Sequence, residues 1–129
     1  MFDFNKKTDY GLRLMVFLAK NAQKGPLSLR QIAKQEKLPF KFLEQVVFLL
    51  KTAGLVDSKE GKNGGYFLTK NPQKISVAQI VESLEGPVEF GHCFGCPKAG
   101  LCGPEEIWAE IGEKVRKTIR DKTLKDLIK

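Results

Sequence analysis

Long apolar runs are absent from this 129-residue sequence. The longest, from Leu14 to Ala19, is far too short to span a bilayer, and the chain does not start like a secretory signal. Histidine is nearly absent as well: the single one, His92, has no apparent triad partner that would make a cysteine nucleophilic. We therefore expect a cytoplasmic protein with no membrane segment and no enzymatic activity.

Cysteine is lacking everywhere except in one short loop. All three cysteines lie in the stretch HCFGCPKAGLCG, residues 92–103, with the spacing C-x2-C-x5-C. An odd number of thiols cannot all pair as disulfides, and a chain that is 42% apolar can bury a core without them. Clustered cysteines in a reducing compartment more often bind metal or perform redox chemistry, so this loop is a candidate site.

Excess positive charge is confined to the first half of the chain. Residues 1–75 contain 14 Lys and Arg against 6 Asp and Glu, a net charge of +8, whereas residues 76–129 contain 8 against 9, a net charge of −1. This asymmetry favours a polyanionic partner, such as nucleic acid, for the first half. A role in solubility alone is the alternative.

Three helices are predicted in the basic half. Thr8 is the expected N-cap of the first, and Gly25 and Pro26 end its loop. A short second helix begins after Ser28, and a third follows the turn KLPF and runs to Gly54. A short helix, a tight turn and a second helix form the helix-turn-helix pattern.

A glycine-rich hairpin is predicted directly after the third helix. Leu55 and Val56 begin one strand and residues 66–68 form the other, and the tip KEGKNGG carries two lysines and residues that tolerate positive φ. A helix-turn-helix followed at once by a basic hairpin predicts a winged helix, whose second helix enters the major groove of DNA. A winged helix that contacts protein is the alternative.

The second half is predicted to be helical apart from the cysteine loop. A capping box formed by Ser76 and Gln79 begins one helix, Pro104 opens a long one, and Thr123 caps a last short helix at 124–129. The long helix carries an apolar stripe at Ile107, Trp108, Ile111, Val115 and Ile119. Few residues remain to cover this stripe, which favours a dimer interface, with packing against the first helix as the alternative.

The predicted fold class is therefore mainly α with a small β-hairpin wing. Residues 1–75 form the winged helix-turn-helix, the DNA-binding region. Residues 76–129 contain the cysteine loop at 86–104 and the dimerisation helices, of which the long C-terminal helix is the main one, within the same compact domain.

The donor set of the loop limits the groups it can bind. A structural zinc site usually has four protein ligands, so zinc would need His92 or a carboxylate in addition to the three cysteines. Iron–sulfur clusters prefer thiolates and accept other ligands in special cases. Three thiolates with an incomplete fourth position would leave one iron exchangeable, which suits a sensor. A zinc-stabilised repressor, a thiol-redox regulator without a cluster, and a small iron–sulfur electron carrier are the alternatives.

Together these features resemble the Rrf2 family of bacterial transcription regulators. The resemblance covers nearly the whole chain and rests on TDYGLR, FLEQVVFLLKTAGLVDS, NGGYFL, the three-cysteine loop before a long helix, and TLKDLI. It implies a homodimer that binds a double-stranded DNA operator with an affinity controlled by an iron–sulfur cluster. Either a 2Fe-2S or a 4Fe-4S cluster is compatible, because the first cysteine gap is shorter here than in some members.

The resemblance also implies a ligand set. Cys93, Cys96 and Cys102 would bind the cluster. In one family pattern the fourth ligand is an acidic residue of the first helix, supplied by the partner subunit, and Asp9 matches it. In another it is a histidine three residues after the last cysteine, where this chain has Glu105. We rank Asp9 first, Glu105 second and His92 third.

Candidate DNA contacts follow from the winged helix. Lys41, Glu44 and Gln45, near the start of the recognition helix, are expected to face base edges, since Gln suits adenine and Glu suits cytosine amino groups. Contacts to phosphate or from the wing are expected at Arg13, Arg30, Lys34, Lys59 and Lys62.

Two phenylalanines near these candidates lie off the main buried stripe. For Phe40 and Phe48, the sequence pattern does not decide between packing in the core and contact with thymine methyl groups.

Overall fold

A computed structural model describes residues 5–88 and 103–128 of the chain. The helices are α1 (Lys6–Lys20), α2 (Leu29–Glu36), α3 (Phe40–Thr52), α4 (Val77–Glu85) and α5 (Gly103–Asp121), with the antiparallel strands β1 (Val56–Lys59) and β2 (Gly65–Leu68) between α3 and α4. Short 3-10 turns occupy Ala22–Lys24, Pro72–Lys74 and Leu124–Leu127. The predicted fold class is confirmed, although the last segment is a 3-10 turn rather than a helix to the end of the chain.

Helix α1 begins earlier than the sequence suggested. Its N-cap is Asn5, whose side-chain oxygen accepts a hydrogen bond from the Thr8 amide at 3.1 Å. Thr8, the expected cap, lies inside the helix and is 1% exposed, so that prediction was wrong. Asparagine is at least as good a cap as threonine, and here it leaves Thr8 free to enter the core.

The helix-turn-helix forms where it was predicted. Ser28 caps α2 by accepting from the Gln31 amide at 3.1 Å. Lys37 ends α2 in the left-handed conformation, with φ at 56°, and its amide bonds to the Ala33 carbonyl. Pro39 then serves as the N-cap of α3. The tight turn fixes α3 across α2.

Strand β2 pairs with β1 on one edge and with the helical body on the other. The register with β1 pairs Val56 with Leu68 and Lys59 with Gly65. On its other edge Tyr66 exchanges two backbone hydrogen bonds with Leu27, at 3.0 and 2.8 Å. The base of the wing therefore belongs to the body, and only its tip projects.

The core lies among α1, α2, α3 and the inner face of α4. Side chains such as Leu14, Ile32, Leu43 and Ile80 are fully buried there. A smaller cluster joins Val77, Val81 and Val88 to the second half of α5, through Val115 and Ile119. Residues 103–111 of α5 contain no buried side chain, and Ile107 is 49% exposed.

Candidate nucleic-acid interface

The exposed face of α3 brings together the residues expected to read bases. At about 100° of rotation per residue, Lys41, Glu44 and Gln45 all lie within roughly 60° of Phe48 around the helix axis. All four side chains are exposed, and Phe48 is the most prominent at 68%. The opposite face of α3 is anchored in the core by Leu43, Val46, Val47 and Leu50, so the exposed face has a fixed orientation.

Two concavities flank this face. One, of about 390 Å³, lies between α3 and the start of α1 and is bordered by Lys7 and Leu49. The other, of about 510 Å³, lies towards α2 and the wing and is bordered by Arg30 and Lys51. Glu44 and Phe48 border both concavities, so they form a ridge with cations on both sides.

Arg30 is held in place by an aromatic ring. Its guanidinium carbon lies 4.6 Å from the centre of the Phe40 ring, close enough for a cation–π interaction. Phe40 is half-buried and packs against the core. This settles the packing of Phe40 and orients an exposed cation near the start of the recognition helix.

Lys51 connects the recognition helix to the wing. Its amine donates a hydrogen bond to the Ser58 hydroxyl at 2.7 Å and lies 4.0 Å from an Asp57 carboxylate oxygen. Sequence reasoning missed Lys51 and Lys7 as candidates. For Lys51 the signal was available, since it lies seven residues after Glu44 and therefore on the same helix face.

The wing presents its charged residues at and near the tip. Lys59, Glu60 and Lys62 are all exposed. Gly65 has φ at 148°, and a Cβ there would collide with the Leu27 backbone. Glycine at this position is therefore what allows the wing to lie against the body.

Two predicted phosphate contacts, Arg13 and Lys34, do not border the concavities. Arg13 on α1 forms an exposed ion pair with Asp9 at 3.2 Å. Arg13 and Lys34 remain candidates for phosphate contact on the flanks of the domain.

The predicted cysteine ligands and His92 lie outside the described residues, but the segment that leads into their loop is anchored. Before the loop, the Val88 carbonyl accepts a hydrogen bond from Arg116 Nη1 at 2.9 Å, which fixes the end of the α4 segment to α5. Nearby, Glu85 accepts from the Asn5 amide at 3.1 Å, so the start of α1 lies against the end of α4.

The two carboxylate candidates for the fourth ligand differ in helix and in exposure. Asp9 lies in the first turn of α1 with its side chain 56% exposed, and it pairs with Arg13. Glu105 lies in the first turn of α5 and is half-buried. Among residues 5–88 and 103–128 there is no group of three or more His, Cys, Asp or Glu side chains placed to hold a metal ion.

No helix within those same ranges is long and apolar enough to cross a membrane.

Comparison with known proteins identifies the family. The HTH-type transcriptional regulator CymR of Bacillus subtilis is 38% identical over 121 residues, covering 94% of this chain and 86% of that protein. The structure of CymR, described as the global cysteine regulator of B. subtilis, superposes with a TM-score of 0.88 at 36% identity, covering 98% of this chain and 96% of that one.

Two further structures are similar. That of T. potens IscR has a TM-score of 0.82 at 31% identity, covering 98% of this chain and 85% of that one. That of the oxidized form of Staphylococcus aureus CymR has a TM-score of 0.80 at 35% identity, covering 98% and 95%. Residues 4–129 match the Rrf2 family, described as iron-dependent transcriptional regulators. The chain therefore belongs to the Rrf2 family of transcriptional regulators.

Proposed function

We propose that this transcriptional regulator acts as a homodimer on a roughly two-fold symmetric DNA operator, with an affinity controlled by an iron–sulfur cluster on Cys93, Cys96 and Cys102. The observation that carries DNA recognition is the α3 face, on which polar side chains able to read bases lie between cations. A helix about 10–12 Å across fits the major groove, which is about 12 Å wide.

Each part of this surface has a separate role in the proposal. Glu44 and Gln45 read base edges, and Arg30, Lys51 and Lys7 neutralise the phosphates that border the groove. Lys59 and Lys62 extend that neutralisation along the DNA from the wing. Phosphate contacts position the domain, whereas base contacts select the sequence.

The cluster part of the proposal rests on the donor set and on the family description. Three thiolates on one loop suit an iron–sulfur cluster, and the family is described as iron-dependent. Such a cluster, when bound, supplies an iron centre that responds to redox state or to iron supply. The 86–104 segment links α4 to α5, so a difference in its conformation would reach the helix proposed for dimerisation.

Dimerisation is proposed from the exposed apolar residue in the first half of α5. Ile107 is 49% exposed there, while Val115 and Ile119 of the second half already pack against α4. We propose that a second copy of the chain covers the first half. The two α3 helices would then contact half-sites about 34–36 Å apart.

A second candidate function is thiol-based regulation without a cluster. It is favoured by the similarity to CymR, whose structures are described as those of a cysteine regulator and of an oxidized form. In that case the three cysteines would respond to oxidation directly. A zinc-stabilised repressor would use the same thiols without sensing.

Anaerobic purification followed by absorption spectroscopy and analysis of iron, sulfide and zinc tests these candidates. A brown protein with iron and sulfide supports the cluster, and any one of Cys93→Ala, Cys96→Ala and Cys102→Ala should abolish it. Colourless protein without metal supports thiol regulation, and one zinc per chain supports the zinc-stabilised repressor.

The fourth ligand is tested by comparing Asp9→Ala with Arg13→Ala and Glu105→Ala. A ligand role predicts that Asp9→Ala alone changes cluster content or lability. If Asp9 serves only its ion pair, Arg13→Ala will have the same effect. If Glu105→Ala has the larger effect on the cluster, the order of the two carboxylates is reversed.

A further inference from the structure

Phe48 is exposed on the face of α3 that carries Lys41, Glu44 and Gln45. Its side chain is 68% exposed, compared with 37% for Phe67 and 49% for Ile107. Within roughly 60° of it around the helix axis, the exposed neighbours on α3 are polar or charged: Lys41, Glu44, Gln45, Lys51 and Thr52. A single exposed ring among charges is too small an apolar patch to form a protein interface.

The position of Phe48 indicates what covers it. It forms part of the ridge between the two concavities, with Lys7 on one side and Arg30 and Lys51 on the other. A ridge flanked by cations matches the shape and charge of a major groove bordered by two phosphate backbones. The ring would therefore point towards base edges.

The chemistry of the ring then selects the base. A phenyl group neither donates nor accepts a conventional hydrogen bond, and the apolar feature of base pairs in the major groove is the C5-methyl group of thymine. We propose that Phe48 contacts a thymine methyl group and makes the protein select thymine at one position in each half-site. This inference rests on the DNA binding proposed above and adds a specificity-determining residue to it.

The thymine has an expected place in the half-site. Phe48 follows Glu44 by four residues, which is about 6 Å along the helix axis. That distance is nearly two base-pair steps of about 3.4 Å. The selected thymine therefore lies one or two base pairs from the base read by Glu44.

Selection of duplexes from a random library tests this proposal with the complete protein. The wild type should enrich a half-site with a fixed thymine, and Phe48→Ala should lose the preference at that position alone. In the enriched duplex, deoxyuridine is then placed at that thymine. This removes the methyl group and leaves base pairing intact.

The wild type should lose about fourfold in affinity per half-site on this replacement, the equivalent of one buried methyl group. Phe48→Ala should bind more weakly and show no response to deoxyuridine, whereas Phe48→Leu should keep part of it. Phe67→Ala, which removes an exposed ring on the wing, is the matched control and should keep the full response. Thermal unfolding checks that each variant is folded.

Four results would overturn the proposal. If no duplex is enriched, DNA binding itself fails and this inference with it. If a duplex is enriched without a fixed thymine, or if wild type and Phe48→Ala respond equally to deoxyuridine, the methyl contact fails while DNA binding stands. If Phe48→Ala binds the operator as well as the wild type, the ring makes no contact that contributes to DNA affinity.

Discussion

The winged half and helix α5 differ in how completely each covers its own apolar residues. In the winged half, side chains from α1, α2, α3 and the base of the wing bury one another, and Leu14, Ile32 and Leu43 are fully inaccessible. Gly112 is the only buried residue among the 19 of α5. The winged half and α4 therefore share a well-covered core, whereas the first half of α5 leaves an apolar side chain, Ile107, exposed among the described residues.

Helix α5 is nevertheless attached firmly at its far end. The Val77 amide bonds to the Lys122 carbonyl and the Leu124 amide to the Ile75 carbonyl, both at 2.8 Å, and Leu124 is fully buried in the main core. The other end of α5 receives the cysteine loop. A long helix fixed at one end suits transmission of a change at the other.

The largest effect is expected from truncating the main core. Leu43→Ala should lower the free energy of unfolding by about 2–5 kcal/mol, because it leaves a cavity among α3 and its neighbours. Ile107→Ala on α5 should change the unfolding of the dilute monomer by less than about 0.5 kcal/mol and weaken dimerisation instead. Urea unfolding and analytical ultracentrifugation measure the two quantities. Equal losses of monomer stability would remove the contrast between the two regions.

The wing provides the next largest effect. Gly65→Ala should cost about 1–3 kcal/mol, because the new methyl group meets the Leu27 backbone and φ lies in a region unfavourable to alanine. DNA affinity should fall with it, since the wing moves relative to α3. Gly61→Ala at the tip, where φ is 108° but the added methyl group meets no other atom, is the control and should cost less. Thermal unfolding compares the two, and similar losses would mean that the contact with Leu27 contributes nothing.

Because the winged half carries the excess positive charge, its lysines should contribute more to DNA affinity and to its salt dependence than lysines of the second half. Replacing both Lys59 and Lys62 with Ala should weaken binding to all sequences, by about tenfold or more. It should also reduce the salt slope by about 0.9 for each phosphate that a subunit no longer neutralises. Lys114 and Lys117 on α5 carry the same charge in the acidic half, and replacing both is the matched control. Titrating labelled duplex DNA with each double variant at several salt concentrations measures both slopes, and only the wing variant should have the smaller one. An unchanged slope for the wing variant would place the wing away from DNA.

A smaller effect is expected where α5 meets the start of the cysteine loop. Arg116→Met keeps most of the side-chain stem and removes the hydrogen bond to the Val88 carbonyl, at a cost of about 0.5–1.5 kcal/mol. The loop should then be cleaved faster in limited proteolysis. Glu113→Gln, which removes only the exposed 3.4 Å ion pair with Arg116, should leave cleavage unchanged. If both variants are cleaved alike, Arg116 does not anchor the loop.

The smallest effect concerns the cap after α5. The backbone hydrogen bond from Thr123 to the Asp126 carboxylate lowers the pKa of Asp126. A lowered folded-state pKa contributes stability above the unfolded pKa of about 3.9, and this contribution is lost as the pH falls through the folded-state value. Asp126→Asn should therefore flatten the dependence of stability on pH below about pH 4. Denaturant unfolding at pH 7, 4 and 3 tests this, and an unchanged profile would mean that the cap adds nothing.

Local patterns in the sequence predicted most of the elements. Ser76 and Gln79 form the expected capping box, with reciprocal hydrogen bonds of 2.9 and 3.1 Å, and α4 ends at Gly86. The wing strands differ from the prediction by one residue at most. These signals are local: a cap, a turn or a periodic stripe involves residues only a few positions apart, so they can be read from one sequence.

Part of the candidate site was equally predictable. Glu44 and Gln45 are exposed on α3 as expected, because helical periodicity alone separates them from the buried Leu43 and Val46. The placement of Thr8 failed, because only the packing of α1 shows that Thr8 enters the core and that Asn5 caps the helix. Periodicity would also have placed Phe48 on the exposed face with Glu44, whereas the position of Phe40 depended on its packing against the core and on Arg30 reaching its ring from another helix.

The sequence by itself determined the family, the order of the elements, the separation of charge between the halves and the spacing of the three cysteines, because each is fixed by composition or by position along the chain. Only the tertiary structure decided that Lys7, Arg30 and Lys51 surround the Phe48 ridge, and that α5 is covered at one end and open at the other. Those arrangements bring together residues far apart in sequence. They depend on how the helices pack, which no local pattern specifies.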